Sequence, residues 1–176
     1  DGDRAVTAFS LLARNNAWAN ARLLGICATL PPGEWHAPRT GFFPSLRATI
    51  EHIHAIDLYY LDAACEGGEG RRLFHTAPPF PTPQEASFAM AAQDARLITF
   101  CDSLDAPDTA RRVPTERGPG IVMERLDHLL LHLFQHQIHH RGQAHAMLSS
   151  TPVAPPQLDE FFLDYDRHPS ALPWLE

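Results

Sequence analysis

Apolar residues recur at helical spacing in four long stretches of the chain. Within residues 4–29, Val6, Phe9, Leu12, Ala13, Ala17, Leu23, Leu24 and Ile26 share one broad face, as in an amphipathic helix. Pro31, Pro32 and Gly33 stop it. A second helix is predicted over 45–65, with Ser45 as N-cap after Pro44, because a serine hydroxyl accepts from the unpaired N–H groups of a first turn. Gly67, Gly68 and Gly70 end it, and Pro78, Pro79, Pro81 and Pro83 keep the following stretch out of helix. A third, alanine-rich helix is predicted over 84–104 and a fourth over 121–149, with a short extended piece over 111–116 between them. The tail carries Phe161, Phe162, Tyr165 and Trp174. The expected organisation is therefore an all-α four-helix bundle over 1–150, with the tail of 151–176 packed on it. Linkers of roughly 15 residues exceed the usual short bundle connections and leave room for crossovers.

Composition narrows the function classes. A chain of 176 residues fits one domain with a sizeable core. Its net charge of −7, from 14 basic and 21 acidic residues, argues against nucleic acid as main partner, since phosphate binding needs a basic surface. No apolar run approaches the roughly 18 residues of a spanning helix, and the start lacks a charged-then-apolar leader pattern. Cys27, Cys65 and Cys101 are odd in number and far apart, which fits reduced thiols and a cytoplasmic setting. The unusual count is histidine, at 11.

The fourth helix holds His128, His132, His136, His139, His140 and His145. Leu126, Leu129, Leu133, Ala144 and Met147 define its core-facing arc, with His140 inside that arc and His136 at its edge. These two stand four apart, so their rings fall on adjacent turns and can converge on one ion. Two ligands from one helix rarely suffice. In the second helix His52 shares a face with Thr49, Ile56, Tyr59 and Ala63, while His54 points roughly opposite. The expected metal ligands are thus His52, His136 and His140, an all-imidazole set that leaves coordination positions open, as catalytic sites do. His132, His139 and Gln143 are candidates to orient the ligands or the substrate. His36, His54, His75 and His168 are expected at the surface, and Glu51 and Asp57 as solvated charges. Arg141 turns away from the metal face, which suits a structural salt bridge. No residue is singled out as catalytic.

The run Leu133-Phe134-Gln135-His136-Gln137-Ile138-His139-His140-Arg141-Gly142-Gln143 closely resembles the HxxHHRGQ signature of the DinB/YfiT-like family. Asn16-Ala17-Trp18-Ala19-Asn20 and Leu23 resemble its early Trp-Ala-Asn motif, with Asn15 where the family usually has tyrosine. Phe43-Pro44-Ser45-Leu46, Thr49 to Ile53, Asp57 and Tyr60 resemble its second helix. The resemblance spans roughly residues 5–150. It implies an up-down-down-up four-helix bundle, often dimeric, with zinc or nickel on the residues matching His52, His136 and His140. It also implies relatives that are transferases and isomerases dependent on small thiols such as mycothiol or bacillithiol. The leading expectation is a metal-dependent enzyme on a small molecule, a thiol-dependent transferase or, as a variant, a hydrolase. The alternative is a non-catalytic metal-binding or stress-response protein.

Overall fold

A computed structural model describes residues 8–105 and 108–175. Four long helices dominate it: α1 (Ala8–Cys27), α2 (Leu46–Ala64), α4 (Pro83–Ser103) and α5 (Leu126–Leu148). The first predicted turn, residues 4–7, lies outside the described residues. Ser45 caps α2 as expected, its Oγ accepting from Ala48 N at 3.1 Å. Beyond α2 the chain reverses tightly at Gly67. A Cβ there would strike the Asp62 carboxylate, which is already held by the backbone N–H groups of Glu69 and Gly70 at 3.0 Å. A single turn, α3 (Leu73–Thr76), precedes α4. The start of α4 is a capping box: Glu85 N donates to Thr82 Oγ1, and Thr82 N donates back to the Glu85 carboxylate. Pro83 occupies the first helical position, where a missing N–H leaves nothing unpaired.

The fourth helix starts later than the apolar pattern predicts. Residues 112–117 form the strand β1, which contains most of the expected extended piece. Gly120–Arg125, however, is a second strand, β2, paired antiparallel with β1 so that Thr115 faces Val122. The physical reason lies in Gly118, Pro119 and Gly120, which make the turn, followed by β-branched Ile121 and Val122 that suit a strand. Val113 and Thr115 point into the core while Ile121, Val122 and Met123 face outward. Tyr59 of α2 donates to the Glu116 carbonyl, and Leu126 N bonds to Arg111 O at 2.9 Å, fastening the hairpin to the helices.

Helix α1 packs along α4, and α2 along α5. Two apolar clusters fill the interior. One includes Ala13, Tyr60, Leu97, Leu129, Leu133 and Phe134; the other includes Leu23, Leu46, Ile50, Met90, Ala144 and Met147. Between them, by position along every helix, runs a layer of buried polar side chains. The C-terminal segment packs on the outer face of α1: Phe161 is fully buried against Trp18, whose Nε1–H donates to Ser170 Oγ at 2.9 Å. Among the described residues, no helix is long and apolar enough to cross a membrane.

Candidate metal centre

The seam between α2 and α5 is lined with imidazoles. His136 and His140 stand one turn apart, with ring centroids at 4.4 Å, as their spacing on a helix requires. His52 of α2 completes the group, its ring 4.9 Å from that of His136 and 4.7 Å from that of His140. One ring nitrogen from each of the three lies within 4.8 Å of the others. The structure thus brings together the three residues singled out in the sequence.

The group suits a divalent ion. His52 Nε2 and His136 Nε2 are 3.0 Å apart. Metal–imidazole bonds of about 2.0–2.1 Å separate two ligand nitrogens by roughly 2.9–3.4 Å, from right-angled to tetrahedral arrangements. Burial, reinforced by the neighbouring histidines, pushes the His136 imidazole down to about 3. Burial and His140 push His52 down to about 4. Both rings are therefore neutral near pH 7, which is the form that ligates. His136 Nδ1 is buried with no partner among the described residues. Cys27 and Cys101 lie in the core, each thiol raised to about 12 by burial, and Cys65 is exposed at the end of α2. Among the described residues no thiol or carboxylate joins the three rings.

Neighbouring side chains hold the His140 ring. His140 Nδ1–H donates to Gln143 Oε1 at 2.8 Å, and the Gln143 amide donates to His139 Nε2 at 3.1 Å. A ring with its proton committed at Nδ1 offers its other nitrogen as a lone pair. Gln143 and His139 therefore lie beside the three rings, linked in series to His140. His132 makes no hydrogen bond among the described residues; its ring lies 5.1 Å from Tyr60 and 6.2 Å from His136. Two further residues that the sequence left without a role form the opposite wall. The Phe43 ring sits 4.4 Å from His52 and 5.5 Å from His140, with Phe42 beside it and 78 % exposed. Next to His52 opens a cleft of about 540 Å³ between α2 and the segment carrying Phe74, Ala77, Pro78 and Pro79. Glu51 at its edge is not a free charge: it accepts from Arg47 Nε and from Phe80 N, both at 2.7 Å.

Directly behind the imidazoles lies the buried polar layer, and here two expectations are corrected. Asp57 is not solvated; it is 2 % exposed and accepts from the Gln137 amide. Burial, together with the nearby Asp94, raises its carboxyl well above the usual range. Arg141 does turn away from the metal face, but into the core, at 5 % exposure. Its Nη1 donates to Asn16 Oδ1 at 2.7 Å and Asn20 Oδ1 at 2.9 Å. Both asparagines donate in turn to Asp94, so amides bridge the two charges and no direct salt bridge forms. Burial lowers the Arg141 guanidinium to about 10 against the opposing pull of Asp94 and Asp57, leaving it charged at neutral pH. Burial also raises Asp94, to about 6, against its bonds from Asn20 and Asn16 and the charge of Arg141. All four long helices meet in this layer.

His54 is the third correction. It is 5 % exposed, edge-on to Phe80 at 5.1 Å, with Nδ1 unpartnered among the described residues. His36 and His75 are exposed and His168 is partly so. Burial holds the His54 imidazole down at about 4, from 6.5, a gap of roughly 3 kcal/mol. A lowered histidine binds fewer protons folded than unfolded. Its contribution is therefore intact above pH 6.5 and is lost as pH falls toward 4. Asp57 and Asp94, both raised, act with the opposite sign, so a difference between variants isolates the histidine. Between pH 6.5 and 4, wild type should lose about 2–3 kcal/mol relative to His54→Leu, read as converging urea midpoints; parallel curves would refute the assignment.

No curated protein matches the chain. The model of the DinB family matches residues 5–169, a span that holds the imidazole group, the polar layer and part of the C-terminal segment. The chain belongs to the DinB family.

Proposed function

We propose that this chain is a metal-dependent enzyme acting on a small molecule, with His52, His136 and His140 holding one zinc or nickel ion. The observation that carries this reading is the donor set: three imidazoles within 4.8 Å of one another and, among the described residues, no acidic or thiol side chain with them. Such a set leaves the ion its full charge, and the ion supplies stabilisation of a small anionic nucleophile at neutral pH. A thiolate is anionic and soft enough for either metal, which favours a thiol-dependent transferase using a low-molecular-weight thiol. The chain's cysteines do not compete, being buried and protonated or remote. Gln143 and His139 keep the His140 ring in one tautomer, Phe42 and Phe43 wall the site, and the cleft beside His52 takes the body of the substrate.

This reading includes an up-down-down-up bundle path, which the packing of α1 on α4 and α2 on α5 supports. It also includes a homodimer, and a cytoplasmic setting consistent with three unpaired cysteines. Its test is spectroscopic. Millimolar thiol added to the cobalt-substituted protein should produce sulfur-to-cobalt charge-transfer absorption, and His52→Ala should abolish it. A spectrum that ignores thiols and responds only to pH or carboxylates would replace the transferase reading with a hydrolase.

A further inference from the structure

On the side of α5 away from the imidazoles lies a second cleft, of about 440 Å³, between that helix, Asn15 of α1 and the C-terminal segment at Gln157, Leu158, Asp159 and Phe162. Arg141 lines it. Every hydrogen bond Arg141 makes among the described residues is carried by Nη1. Nε and Nη2, the other edge of the fork, have no partner among the described residues, and neither is fully buried. A side chain 95 % buried, committed through one nitrogen and open at two, presents donors to the cleft it lines. The side-chain amide of Asn15, also lining the cleft, makes no hydrogen bond among the described residues. Ile138, 56 % exposed, and Phe162, 48 % exposed, supply apolar walls with half-buried Leu158.

The geometry points to a second ligand site, separate from the metal centre, that takes the carboxylate of a small organic acid on Arg141 and Asn15. Two parallel N–H donors on the Nε/Nη2 edge match a planar carboxylate in bidentate fashion. A phosphate dianion fits less well, because one guanidinium already faces Asp94 across the asparagines and Asp159 stands at the rim. The apolar walls select an acid with an aliphatic or aromatic body over acetate or formate.

The probes are hexanoate, hexanamide and hexylamine, titrated into metal-stripped protein so that the outcome is independent of the proposed metal chemistry. Hexanoate should bind at least about tenfold more tightly than hexanamide, the worth of a charge-assisted hydrogen bond, and should shift the Arg141 Nε–H resonance; hexylamine should not bind. Arg141→Lys keeps the charge and removes the fork, and should weaken hexanoate binding and narrow its preference over hexanamide. Should that variant fail to fold, Gly142→Leu carries the test. A Cβ at Gly142 meets open space, and replacing a mid-helix glycine favours the helix, so this variant stays folded while its side chain fills the cleft. Loss of hexanoate binding in folded Gly142→Leu supports the site. Hexanoate binding no tighter than hexanamide, or undiminished in Gly142→Leu, overturns it.

Discussion

Protein purified from cells supplied with zinc or nickel should carry close to one divalent ion per chain, and His52→Ala, His136→Ala or His140→Ala should each lower metal affinity more than about a hundredfold. The magnitude follows from comparison with outer-sphere residues, whose loss costs about 10–100-fold. Gln143→Leu, which frees the His140 ring without removing a ligand, should fall within that smaller range. His145→Ala should change nothing, because His145 turns away from the seam and bonds to Pro156 O at 2.8 Å. Elemental analysis and competition with a chromogenic chelator measure all of these. Full occupancy in the His136→Ala/His140→Ala double variant would remove the site from α5.

The largest expected effect on stability comes from the polar layer. Arg141→Met removes the one cation of the Arg141–Asp94–Asp57 group and leaves Asp94 buried with only the amides of Asn16 and Asn20. Breaking a buried pair from one side costs about 3–5 kcal/mol, which for a chain of this size is a fall in Tm of roughly 10 °C. The double variant Arg141→Met/Asp94→Leu should recover only part of the loss, since it removes both charges but leaves the buried amides of Asn16 and Asn20 without those partners. Urea denaturation of the two single variants and the double variant gives the coupling directly. If Arg141→Met unfolds within about 0.5 kcal/mol of wild type, the layer is not an interlock among the four helices.

The features legible in the sequence are those with local causes. Ser45 after Pro44 marks the start of α2 to the residue, since capping is decided within one turn. His136 and His140 share a face through helical geometry alone, and His52 follows from the face it occupies on α2. Pro83 read as a breaker, whereas Thr82 and Glu85 make it the first residue of α4. Ile121, Val122 and Met123 ran on into the apolar pattern of α5 and hid the hairpin, although the preceding glycines and proline signal a turn. Burial at His54 and Asp57 was the harder inference. A helical wheel assigns one inward face, but α2 packs on α5 and α4 and is also covered by Phe80. The partner that lets Asp57 be buried, Gln137, lies 80 residues away. The site's outer wall at Phe42 and Phe43 belongs to a loop, where no periodicity points inward.

X-ray absorption at the metal edge of the loaded protein, without added thiol, tests the central claim most directly. Three imidazoles predict three nitrogen scatterers at about 2.0–2.1 Å with outer-shell ring scattering, and His52→Ala should reduce that ring signal. A sulfur scatterer at about 2.3 Å in thiol-free protein, or a ring signal unchanged in His52→Ala, would contradict a metal centre built on His52, His136 and His140.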